Sequence, residues 1–309
     1  MHITYLKKLW DKAKHSAFSD LCGFKGKLYC CFREAVNHVS EDGIIRVLQL
    51  NTDGDILGSQ HLSLAQADLR DPKLSVTPDG KLLLIAYARQ HDGNTKHLFS
   101  QCLCWSSADG LSWSSATNFA EKNWWLWRIT WYQGQAFGLA YNRGKQTLNL
   151  YQGDPRRTFN VHSPAVFSLA RQHKGYPNES DIVFVDDVAY ALVRRDADSY
   201  SAQLGRSSFP YKRWDWQDLA CYIGGPVMIL NDKHSTYVAG RIEYQGKLRT
   251  ALMSLNLNTA KLDLVLVLPS AGDNSYPGLV KQGNSLFMSY YSSHQDNKSQ
   301  IYLAKIELE

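Results

Sequence analysis

The sequence predicts an all-β protein, and within that class a six-bladed β-propeller. Three observations predict it. Short runs rich in Val, Leu, Ile, Tyr and Trp are broken by Asp-Gly, Lys-Gly and Gln-Gly turns, the punctuation of antiparallel strands. A two-strand hairpin recurs six times, at steps of roughly 46 to 57 residues, within the range of propeller repeats. Strand-like runs between the hairpins bring each repeat to four strands, the content of one blade.

The repeats follow in order. The first reads Phe18-Ser19-Asp20-Leu21, turns at Lys25-Gly26 and returns through Leu28 to Glu34. The second starts at Leu69-Arg70-Asp71-Pro72, turns at Asp79-Gly80 and returns through Leu82 to Arg89. The third runs from Leu126 to Trp131, turns at Gln133-Gly134 and returns through Phe137 to Arg143. The fourth runs from Pro177-Asn178-Glu179 to Val185, turns at Asp186-Asp187 and returns through Ala189 to Arg195. The fifth starts at Gly224-Gly225-Pro226, turns at Asn231-Asp232 and returns to Arg241; the sixth starts at Ser275-Tyr276-Pro277-Gly278, turns at Gln282-Gly283 and returns to Tyr291. Ile3 to Trp10 is left over, and pairs in this reading with Ile301 to Ile306 to close the last blade. Residues 1–309 then form a single propeller domain.

Composition agrees. The 309 residues are 44% hydrophobic and 20% charged, globular values. A net charge of +5 without a Lys/Arg run excludes the basic clustering of a nucleic-acid binder. No segment has the 18 or so consecutive apolar residues of a membrane-spanning helix. The six cysteines form no Cys-x-x-Cys pair and fall mostly within apolar runs, which reads as free buried thiols in a reducing, cytoplasmic setting. The ten histidines lack zinc-ligand spacing, so no metal or other cofactor is expected. The residues specify no oligomeric state.

In an antiparallel hairpin the start of the first strand and the end of the second share one edge. That edge collects Asp20, Arg70, Asp71, Arg128, Glu179 and Tyr276 from the starts, and Arg33, Glu34, Arg89, Arg143, Arg194, Arg195, Asp196, Arg241, Tyr290 and Tyr291 from the ends. Glu179 and Arg194 should sit side by side. Two chemistries can be drawn from this ring. Glu179 can take the proton of Tyr276 and make the phenol a nucleophile, with arginines gripping a substrate carboxylate; the plainer reading of Tyr276 is a core aromatic. Alternatively Asp20, Asp71 and Glu179 form a three-carboxylate glycosidase centre, or Asp20 and Asp71 merely orient arginines. His38 and His294 lie in loops just beyond second strands, and either can reach the mouth as a substrate contact or proton donor. Alternation puts Trp125, Trp127 and Trp131 on one side, and Trp125 serves either as core or as a sugar platform. Ser107 to Trp113 reads as a β-turn between outer strands, Asp109 bonding backbone amides and Trp113 packing between sheets.

These segments resemble the sialidase superfamily. Pro177-Asn178-Glu179 followed by Arg194 is similar to its glutamate and second triad arginine, Ser275 to Leu279 with Ser289-Tyr290-Tyr291 to its tyrosine segment, and Ser107 to Trp113 to a shortened Asp-box turn. Across nearly the full chain, Leu69 to Gly80, Trp127 to Trp131 and Ser275 to His294 resemble bacterial sialidase-like proteins. The resemblance implies a propeller of the sialidase type. Where the family carries its first arginine, Phe18-Ser19-Asp20-Leu21 stands, with Arg33 or Arg70 as replacement; the third arginine is Arg241 or Arg249, and the acid is sought among Glu34, His38 and Asp71.

The expectation is a glycoside hydrolase acting on an anionic or polar small-molecule or oligosaccharide substrate. Glu179, Tyr276, Asp71 and Asp20 are its catalytic candidates, and Arg70, Arg128, Arg194, Arg241, Arg33, Trp125, Tyr290 and His38 its substrate contacts. The rival from another class is a non-catalytic carbohydrate-binding propeller.

Overall fold

Alternating apolar residues and short turns drive each repeat into antiparallel strands, and a computed structural model of the chain describes residues 1–93 and 96–308. Among the described residues these strands form six sheets, each an antiparallel meander from the channel outward. Blade 1 holds His15–Phe24, Lys27–Ala35, Ile44–Leu50 and Ile56–Leu62; blade 2 holds Ala67–Val76, Leu82–His91, His97–Ser107 and Thr117–Phe119. Blade 3 opens on two short pieces, Trp125–Leu126 and Thr130–Tyr132, then continues through Gln135–Asn142, Thr147–Asp154 and Thr158–Ser168. Blade 4 comprises Pro177–Val185, Val188–Arg195, Gln203–Ser208 and Asp215–Asp218, and blade 5 Gly224–Leu230, Ser235–Tyr244, Lys247–Asn256 and Leu262–Val267. Blade 6 takes Asn274–Gln282, Ser285–Ser292 and Gln300–Glu307 from the end of the chain and His2–Trp10 from its beginning. The N-terminal strand pairs antiparallel with Gln300–Glu307, Ile3 opposite Ile306 and Leu6 opposite Ala304. The predicted closure is present.

One apolar cluster fills each of the six gaps between neighbouring blades. Phe18, Leu28, Phe287 and Leu303 seal blade 6 against blade 1, for example, and Phe137, Leu148, Phe184 and Ala191 seal blade 3 against blade 4. Gly278 lets the innermost strands of blades 6 and 1 touch, because a Cβ there would stand 2.0 Å from the backbone nitrogen of Leu21. The Asp109 turn forms as expected. Its Oδ1 accepts from the Ser107 hydroxyl and from the Leu111 and Ser112 amides at 2.7–2.9 Å, and Trp113 packs on the cluster between blades 1 and 2. All six cysteines are free thiols.

A bulge recurs at the same height in five of the innermost strands. Two residues face one across the hairpin at Phe18-Ser19, Asp71-Pro72, Asn178-Glu179, Gly225-Pro226 and Tyr276-Pro277. Proline suits the site because a bulge leaves a ladder N–H unused. Phe18, Asp71, Gly225 and Tyr276 take left-handed backbone, with φ of 63°, 49°, 62° and 46°. In blade 3 the strand breaks altogether at Trp127, Arg128 and Ile129, which cancels the alternation expected of its tryptophans. A bulge turns its side chains out of the sheet. Here it turns them toward the channel.

Candidate active site

The bulges of blades 4, 5 and 6 assemble one hydrogen-bonded group. Oε1 of Glu179 accepts a hydrogen bond from the hydroxyl of Tyr276. Oε2 accepts from Nη1 of Arg194 at 2.6 Å and from the backbone N–H of Gly225 at 2.8 Å. Arg194 also donates to Asp196 at 2.8 Å, and Asn178 donates to the other oxygen of Asp196 while accepting from the Glu179 amide. Glu179 is buried, whereas Tyr276 is partly exposed. Burial, then the charges of Glu179 and Asp71, push the phenol well above its ordinary value, so it rests protonated. Trp127 meets the Tyr276 ring edge-on at 4.8 Å, and the buried Lys73 ammonium lies 4.3 Å from the Trp127 ring and 5.7 Å from the Tyr276 ring.

Asp71 stands on the blade 2 bulge. Its carboxylate makes no side-chain hydrogen bond among the described residues, and burial, against the pull of Arg70 and Lys73, pushes it up to about 6. It is therefore poised to hold and release a proton near neutrality. Arg241 sits across blade 5, donating to the Asn274 carbonyl at 3.3 Å and the Tyr222 hydroxyl at 3.2 Å, with Nε unpartnered. Among the described residues it has no carboxylate partner, and it shares the Tyr222 ring with Arg194. A groove of about 950 Å³ leads outward from Arg194 and Tyr222 between blades 4 and 5, over Leu219, Leu248 and Leu264.

The other predicted residues divide between the mouth, the channel below it and the packing between strands. Asp20 falls past its bulge, deeper in the channel, fully buried, with both oxygens engaged by Arg128 and by the Leu74 amide at 2.8 Å. Arg128 spends its guanidinium on Asp20, on the Pro277 carbonyl and beside Asp181 at 3.5 Å, so it ties four blades together below the mouth. Arg33 and Arg70 both pair with Asp68 and donate to the carbonyls of Asn37, His38 and Ser40, fixing that loop. The indole of Trp125 is stacked on Tyr87 at 3.9 Å and lies parallel to Tyr141 at 5.6 Å, packed against the apolar clusters on both sides of blade 3. Tyr290 is fully buried, stacked on Tyr302 and bonded to the Pro269 carbonyl. Its neighbour Tyr291 takes the channel side, edge-on to Tyr276 at 5.7 Å and bonded to Asp273. His38 does reach the mouth: half its side chain is exposed, its ring meets Phe18 edge-on at 5.0 Å, and Nδ1 lies 2.8 Å from Asp273. Lys73, Asp181, Tyr222 and Asp273 were not singled out from the sequence. Lys73, next to the Asp71-Pro72 bulge, carried the one local signal.

No family model matches the chain, and no curated protein matches it. Solved structures do. A protein of unknown function from Dyadobacter fermentans superposes with a TM-score of 0.85 at 16% identity, over 100% of this chain and 99% of the other. The Trypanosoma rangeli sialidase, in complex with the inhibitor DANA, gives 0.70 at 11% identity, over 98% of this chain and 58% of the sialidase chain. The α-L-arabinofuranosidase Arb93A of Fusarium graminearum gives 0.71 at 9% identity, over 95% and 93%. The chain is thus a six-bladed propeller structurally related, at low identity, to sialidases and to a propeller arabinofuranosidase.

Proposed function

We propose that the protein is a glycoside hydrolase that acts on an anionic or polar sugar through Tyr276. Glu179 accepts the phenolic proton as Tyr276 Oη bonds to the anomeric carbon. Asp71, protonated below a pH of about 6, gives its proton to the departing oxygen. Water then attacks the glycosyl–tyrosine, Asp71 takes the water's proton, and the phenol leaves with the proton held by Glu179. Two displacements retain the anomeric configuration. The carrying observation is the hydrogen bond between Tyr276 and Glu179, flanked by Arg194 and by the charge of Asp71, whose carboxylate makes no hydrogen bond among the described residues. The high phenol pKa explains why a base must sit on it. Arg241, which has no acid partner among the described residues, gives the substrate's anionic group a forked partner. The propeller shared with a sialidase and an arabinofuranosidase supports glycoside chemistry in general. Unpaired cysteines favour a reducing, cytoplasmic setting.

Asp20 is taken up in the channel floor, so the three-carboxylate centre loses one of its members and ranks below the tyrosine route. The non-catalytic sugar-binding alternative is decided by turnover. A panel of aryl glycosides, with and without a carboxylate at the anomeric carbon, is expected to give hydrolysis of at least one member. Glu179→Gln lowers kcat for it by roughly 10²–10⁴-fold, and Tyr276→Phe by at least as much. Binding without turnover across acid to neutral pH establishes a lectin instead.

A further inference from the structure

The sequence scatters His15, His38 and Asp273 over three segments, and the ring closure brings them together. His15 starts the innermost strand of blade 1, His38 stands in the loop after that blade's second strand, and Asp273 precedes the innermost strand of blade 6. Nε2 of His15 lies 3.3 Å, and Nδ1 of His38 2.8 Å, from the same oxygen of Asp273. One donor atom from each residue lies within 4.8 Å of the other two. Tetrahedral zinc, with bonds of about 2.0–2.1 Å, holds its ligand atoms about 3.3 Å apart. Both distances to the carboxylate oxygen are near that spacing before any ion enters.

Its surroundings are those of a ligand set. Tyr291 donates to the second Asp273 oxygen at 2.9 Å, the kind of outer support that orients a ligating carboxylate. The His38 loop is held by three guanidinium bonds, from Arg33 to the carbonyls of Asn37 and Ser40 and from Arg70 to that of His38, while Asp68 anchors both arginines. An exposed imidazole is thereby placed by a fixed backbone. The buried His15 ring makes no hydrogen bond outside the cluster among the described residues.

We propose that His15, His38 and Asp273 bind one divalent transition-metal ion, with zinc as the fitting case. Two imidazoles and a carboxylate leave a fourth position open, as in sites that engage a ligand or water rather than purely structural ones. That position lies on the exposed His38 side. Phe18 separates it from the Tyr276 ring, at 5.0 Å from His38 and 5.2 Å from Tyr276. The ion fastens the first blade to the last and places a cationic, ligand-accepting centre on the rim. None of this depends on the glycosidase reading.

The test uses the full chain after chelator treatment and dialysis. Calorimetric titration with ZnCl2 should give one ion per chain, Co2+ should show the visible absorption of a tetrahedral site, and either metal should raise the melting temperature saturably. His38→Ala and Asp273→Asn should weaken binding by on the order of 100-fold or more, and Tyr291→Phe by about 10-fold. Absence of saturable binding overturns the proposal, as does binding that His38→Ala leaves unchanged. His38 is exposed, so that variant decides the matter even if Asp273→Asn fails to fold.

Discussion

Asp71 concentrates the residue-scale physics. It occupies left-handed backbone, which a non-glycine residue adopts at a cost, and it keeps a carboxyl buried without a hydrogen bond among the described residues. Its folded pKa of about 6 lies above the ordinary 3.8, so between those values the folded chain binds the proton more tightly than the unfolded chain. Stability therefore falls as pH rises through that window and stays lowered above it. Asp71→Asn, whose amide tolerates left-handed backbone, should raise stability at neutral pH by up to about 3 kcal/mol while lowering kcat. Thermal melts and kinetics on the same preparation check both halves. The wild-type rate should decline as pH passes about 6 upward, where the acid form is lost, and Asp71→Asn should abolish that limb. Arg241→Met should raise KM for a carboxylated substrate about 10- to 100-fold, the worth of one charged hydrogen bond, with kcat little changed. An equal loss for a neutral substrate would assign Arg241 to packing.

At the scale of the element, the bulge is the device that turns six similar hairpins into a site. Glu179 and Tyr276 meet because each sits in the bulge of its own strand, and Gly225, in the bulge between them, leaves room for the phenol. A Cβ on Gly225 would stand 2.1 Å from Cδ1 of Tyr276, and its φ of 62° is already unfavourable for any other residue. Gly225→Ala should therefore push the ring off Glu179 and reduce kcat by on the order of 10²-fold, the cost of a misplacement of about 1 Å. Circular dichroism should show the sheets intact. Wild-type turnover in this variant would mean that the position of the Tyr276 ring is not critical.

For the whole molecule the seam decides whether there is a ring at all. Blade 6 obtains its outer strand from the chain's beginning, with Leu9 and Trp10 buried and the Trp10 indole donating to Glu34 at 2.5 Å. Removing residues 1–10 exposes the edge of Gln300–Glu307 and deletes two buried side chains whose burial is worth roughly 1.5–3 kcal/mol each. The truncated chain should melt at a lower temperature and associate through the free edge, as size-exclusion chromatography would report. A monomer of unchanged stability would show that the seam does not hold the ring closed.

The sequence by itself determined the six hairpins, their order, the closing strand and the pairing of Glu179 with Arg194, because these follow from residue periodicity and from the shared edge of a hairpin. It also marked Asp71, Glu179 and Tyr276, which proline or their local repeat context singles out. It did not reveal the bulge, which shifts blade 1 so that Phe18, not Asp20, faces the mouth, nor the break that resets alternation around Trp125. Which arginines spend their charge on an acid was likewise largely invisible, since Arg33 meets Asp68, and Arg128 meets Asp20 and Asp181, only across blades, and Arg70 alone finds its acid, Asp68, on its own strand. The tertiary structure alone brought His15 and His38 to Asp273, because ring closure joins segments more than 200 residues apart that no local spacing can relate.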